Sequence, residues 1–172
     1  MNEKYNIILF EINLNKLFSP TNKHLPKEII SLIFEFLSQM IKREQFINII
    51  DTQLEKLLIE VVQLVLVDIN EYELYKNSPK TYIYSQFEIN DDENCFDIRY
   101  SISQFLKIIC KYQKRNEKGD YIKAPVYFEF IYKYFISLLK TFDDDYTNGN
   151  LDVRYKEAIL FLIQSLNEFI LK

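Results

Sequence analysis

The chain predicts an all-α fold made of stacked helical hairpins. Three observations carry this. Two glycines in 172 residues are too few for the repeated turns of a β-fold. Apolar residues recur at i, i+3 and i+4 in successive segments, and those segments fall in the order helix, turn, helix. A chain of this length at 48% hydrophobic residues sustains one packed core, so residues 1–172 read as a single domain.

The first helix is predicted over Tyr5 to Phe18, with Ile8, Leu9, Ile12, Leu14, Leu17 and Phe18 inward and Ser19-Pro20 as its stop. Pro26 suits the first turn of the next. Ile29, Leu32, Ile33, Phe36, Leu37 and Met40 then place one apolar face on Pro26 to Arg43. A third helix spans Thr52 to Ile69 behind Asp51 as N-cap, with Leu54, Leu57, Leu58, Val61, Leu64 and Val65 on one side. Its run VVQLVLV at 61–67 is apolar nearly all round, which predicts a helix sandwiched between neighbours.

Asp97 caps the following helix, whose core face is Ile98, Ile102, Phe105, Leu106, Ile109 and Tyr112. The polar run KYQKRNEKGD at 111–120 then forms a loop. Pro125 to Phe142 follows with Phe128, Ile131, Tyr134, Phe135, Leu138 and Phe142 inward, and DDDYTNGN at 143–150 breaks it. Asn150 or Asp152 caps a last helix, 153–171, carrying Tyr155, Ile159, Leu162, Leu166, Phe169 and Ile170. The hairpins are therefore 27–43/52–69 and 98–114/125–142, with the last helix unpaired. That helix must fold back on its neighbours or expose its stripe.

Between the hairpins lies an aromatic, acidic connector over 70–97. Eight acids against Lys76 and Lys80 between Asp68 and Asp97 give a local balance of −6 in a chain of net −4. Such a segment presents a negative surface to a basic partner. The residues chosen for that contact are Asp91, Asp92 and Glu93, with Glu88 and Asp97 behind them.

Chemistry is poorly provided for. His24 is the only histidine, which removes a histidine-based triad and a multi-histidine metal site. No glycine-rich phosphate loop is present, and the adjacent acids Asp91/Asp92 and Asp143/Asp144/Asp145 sit in polar loops rather than as a tuned acid and base. The expectation is a protein without catalysis or cofactor. Cys95 and Cys110 are too few for a disulfide scaffold, which points to a reducing, intracellular compartment. A pI of 5.2 gives no electrostatic footprint for nucleic acid, and no run approaches the roughly 20 apolar residues that cross a bilayer.

Taken in order, the segments resemble one family. Leu54 to Leu66 as a helix, Glu71, Glu73 and Leu74 as an acidic-aromatic turn, Ser78-Pro79 with Thr81, Tyr82 and Ile83, and Asp91, Asp92 and Glu93 before the helix from Ile98 resemble a passage of nuclear transport receptors. These are the importin-β superfamily, or karyopherins, most nearly the importin-seven and importin-eight group. Lys156, Glu157, Ala158, Ile163, Ser165 and Leu166 are likewise similar to a repeat helix of that family. Ser78 stands where the family usually has Asp, and the N-terminus has no match to the repeats that hold Ran.

The resemblance implies an α-α superhelix of HEAT- or armadillo-like repeats moving between cytoplasm and nucleus. Basic protein cargo would meet its inner face, with nucleoporin repeats and the Ran GTPase as further partners. The rival expectation is a self-contained helical adaptor, like a small Bcl-2-type bundle, that takes a partner helix in a groove. The two differ at helix 153–171, whose apolar edge a receptor segment exposes and an adaptor buries.

Overall fold

A computed structural model describes residues 3–19, 25–81, 97–112, 126–146 and 152–170, with side chains at 3, 126 and 144–146 left aside. Of the described residues 86% are helical and none is in a strand, so the fold is all-α. The helices are α1 (Glu3–Leu17), α2 (Lys27–Met40), α3 (Glu44–Asp51), α4 (Leu54–Leu64), α5 (Ile69–Asn77), α6 (Ile98–Lys111), α7 (Val126–Tyr146), α8 (Val153–Ser165) and α9 (Asn167–Ile170).

α6 sits in the middle, and its sequence explains why. Ile98, Ile102, Phe105, Leu106 and Ile109 are all buried, as the periodicity predicts, and Ser103 and Cys110 widen the stripe. A stripe that wide faces more than one neighbour. α6 packs most extensively on α2 and also touches α4, α7 and α8. The rings of Phe34 on α2 and Phe105 on α6 meet edge to face at 5.3 Å. The predicted pair 98–114/125–142 is realised as α6 and α7, which lie in contact.

Five expectations are corrected. The buried face of α1 is Asn6, Phe10, Leu14 and Leu17, whereas Ile8, Leu9 and Ile12 are exposed. The run Ile7 to Phe10 offers apolar groups in every direction, and the tilted contact of the Phe10 and Phe46 rings at 4.9 Å selects the side that faces inward. On α2 the core face is turned by one residue, with Ile30, Phe34 and Leu37 buried and Ile29 and Leu32 exposed.

Asp51 is not an N-cap. It ends α3, a helix whose Phe46, Ile47 and Ile50 are buried, and α4 starts after Gln53 without a side-chain cap. Finally, the segment read as connector begins as helix α5, so Glu71, Glu73 and Leu74 are helical rather than in a turn, and α7 runs through Asp143 to Tyr146.

The last helix folds back. α8 packs on α7, α4 and α6 and buries Ala158, Ile159 and Leu162, with Leu166 buried at the break before α9.

Candidate partner-binding groove

Two tetrapeptides of this chain repeat one another, Asp97-Ile98-Arg99-Tyr100 at the start of α6 and Asp152-Val153-Arg154-Tyr155 at the start of α8. Each aspartate is the N-cap and accepts from the backbone N–H of its own arginine, Asp97 from Arg99 at 2.8 Å and Asp152 from Arg154 at 3.0 Å. Asp68 caps α5 in the same way through the N–H of Asn70 at 2.8 Å. A short carboxylate reaching an orphan N–H two residues on is the favoured solution at a helix start, and each is worth about 1 kcal/mol.

The two arginines converge on the end of α4. Arg99 donates from Nε to the carbonyl of Val65 at 3.1 Å, and Arg154 from Nη1 to the carbonyl of Val67 at 3.2 Å. These carbonyls lie at and just past the negative end of the α4 dipole, where a guanidinium is favoured. Arg99 also pairs with Glu157 and lies 4.3 Å over the ring of Phe161. Arg154 holds Asp152 through Nε at 2.8 Å and Nη2 at 2.6 Å. Hydrogen bonding to Arg154 holds the Asp152 carboxyl below its usual range, and the same bonds push the guanidinium of Arg154 up.

This clamp fixes where α5 leaves α4 and therefore lays α5 beside α8. Between them is a groove of about 510 Å³. Val67, Tyr72 and Tyr75 form one wall, and Val153, Leu160 and Phe161 the other. Val153, Glu157, Leu160 and Gln164 recur at i, i+4, i+7 and i+11, so one face of α8 points into the groove while the opposite face fills the core. Tyr75 and Leu160 stay 55% and 46% exposed. α5 has no buried residue, which leaves its apolar side chains available to the groove.

The charges differ between the walls. Lys156 is held by Asp143 of α7 at 2.7 Å and Glu157 by Arg99 of α6, so the charges of the α8 wall are paired with neighbouring helices. α5 carries Glu71 and Glu73 against Lys76 beside the groove, whereas Asp68 caps the helix and faces the charge of Arg154. Two other clefts suit a peptide less well. One of about 500 Å³ at the α3–α4 turn is walled largely by Asp51, Thr52, Gln53, Glu55 and Lys56, and one of about 230 Å³ between α4, α7 and α8 has room for fewer anchor side chains.

Of the acids singled out in the sequence, Glu88, Asp91, Asp92 and Glu93 lie outside the described residues, as do His24 and Cys95. Asp97 is described, and one of its oxygens is committed to the α6 cap. The structure instead brings forward Arg99, Arg154, Tyr75 and Leu160. The repeated Asp-x-Arg-Tyr was the signal for the first two. Among the described residues no three His, Cys, Asp or Glu side chains gather to hold a metal, and no helix is long and apolar enough to cross a membrane.

No known protein family, curated protein or solved structure matches the chain.

Proposed function

We propose that this chain is a non-catalytic adaptor that takes an amphipathic helix of a partner protein into the α5/α8 groove. The observation that carries the reading is the groove itself. It is walled by Val67, by Tyr72 and Tyr75 of α5 and by Val153, Leu160 and Phe161 of α8, with Lys156, Glu157 and Gln164 among them, and roughly 500 Å³ accommodates the anchor side chains of one incoming helix. Glu71 and Glu73 on α5, beside the groove, favour a partner with Lys or Arg along one edge, and salt would weaken the steering.

The packing of α8 on α4, α6 and α7 supports an adaptor over a segment of an importin-like receptor. That transport reading, with its superhelical stack, basic cargo, nucleoporin repeats, Ran and nuclear shuttling, rests on the quoted resemblance alone.

Selection of basic amphipathic helical peptides from a displayed library against the folded chain tests the proposal. The expected result is enrichment of peptides with apolar residues at i, i+3 or i+4 and i+7, whose binding falls at least tenfold in Leu160→Glu and weakens as salt rises. Peptides that bind Leu160→Glu as well as the parent would place the site elsewhere. Circular dichroism on the variant guards against unfolding as the cause.

A further inference from the structure

The apolar residues that α1 turns away from the core are arranged, not scattered. Tyr5, Ile8, Leu9 and Ile12 fall at i, i+3, i+4 and i+7, the spacing of a helix–helix seam, and are 64%, 44%, 45% and 47% exposed. Their outward surface equals about two whole large apolar side chains, on the order of 400 Å². That is about half of one side of a standard protein interface. The position of the stripe on α1 separates it from the α5/α8 groove, so it does not depend on the adaptor reading.

The charges along the stripe say what fits it. Lys4 and Glu11 are one heptad apart, and the helical period puts both on the same edge of the stripe. When a helix meets its own copy antiparallel about a two-fold axis, like edges face each other. The register that buries the stripe sets Tyr5 opposite Ile12 of the second copy and Ile8 opposite Leu9 of the second copy. Lys4 then lies within two residues, about 3 Å along the axis, of Glu11 of the second copy. The same pair forms again by symmetry. A parallel pairing about a two-fold would turn the two Lys4/Glu11 edges to opposite sides of the seam, and neither ion pair would form. Lys4 also has an interaction within its own chain, but an ammonium has three hydrogens to donate.

We infer that α1 is a self-association surface, on which a second copy of this chain packs its own α1 antiparallel and exchanges Lys4–Glu11 ion pairs. The modest area gives a reversible dimer in the micromolar range rather than an obligate one.

Sedimentation equilibrium of the full chain, from the order of 1 µM to several hundred µM, tests this. The expected result is a monomer–dimer equilibrium that Ile8→Lys weakens at least tenfold, with an unchanged circular dichroism spectrum at low concentration. Lys4→Glu and Glu11→Lys should each weaken the dimer, and the double exchange K4E/E11K should restore it. A monomer throughout the range, or a dimer indifferent to Ile8→Lys, overturns the proposal. Single reversals that weaken association without recovery in the double variant overturn the antiparallel pairing.

Discussion

Arg154 donates from Nη1 to the carbonyl oxygen of Val67 at 3.2 Å, tying the first turn of α8 to backbone 87 residues earlier. Arg99 does the same for Val65 from the first turn of α6. Two helix starts thus fix one helix end, and the wall of the groove depends on both.

Replacing Arg154 by alanine removes a charge-assisted bond to a half-buried carbonyl and frees the Asp152 carboxylate. We expect a loss of about 1–3 kcal/mol of stability, read from the urea midpoint. Arg154→Lys should recover only part of it, because an ammonium cannot hold Asp152 and the Val67 carbonyl with a planar fork. A midpoint unchanged in Arg154→Ala would show that the bond to Val67 contributes nothing.

The acid limb of stability should report Asp152. Its folded pKa is depressed by hydrogen bonds from Arg154, so its contribution is fully present above the unfolded carboxylate pKa, about 3.9, and is lost as pH falls through the lower folded value. Asp152→Asn keeps a capping oxygen and removes the titration. Thermal melts between about pH 5 and pH 2 should therefore fall less steeply in the variant, and parallel slopes would count against the assignment.

Cys110 is 2% exposed, and burial followed by the nearby Glu168 carboxylate pushes its thiol up to about 12. Since the thiolate is the reactive form, it should resist a thiol reagent at pH 8 in the folded chain. In a Cys95→Ser background, the remaining thiol should react only on unfolding in denaturant. Prompt labelling of the native protein would contradict its burial.

Phe105 and Leu32 make a matched test of the core. Phe105 is fully buried at the centre of α6 and touches the Phe34 ring, so Phe105→Ala should cost about 3–5 kcal/mol. Leu32, placed inward by periodicity but exposed on α2, should cost no more than about 1 kcal/mol as alanine. Equal costs in denaturant melts would restore the face expected from sequence.

α6 was legible because its apolar residues keep one period and Asp97 stands where a cap belongs. α1 and α2 were legible as helices but not in orientation. Each has apolar residues flanking the true stripe, and only contacts such as Phe10 on Phe46 choose between faces. α5 gave no periodic signal because it buries nothing, and its acidic composition read as a connector. α3 was missed because eight residues are too short to show a period, and its last residue, Asp51, is a type that usually precedes a helix. The clamp depends on which carbonyls fold beneath Arg99 and Arg154, which no local pattern encodes. The repeat Asp-x-Arg-Tyr shows only that two helices start alike.

The central place of α6 has a consequence during synthesis. α2 leaves the ribosome well before α6, which covers it, and of the helices made by then α1 is the one that packs on it to shield Ile33, Phe34 and Leu37 in the interval. At about 5–20 residues per second the wait lasts several seconds. Until Phe105 arrives, the face of α2 that it covers has no permanent partner.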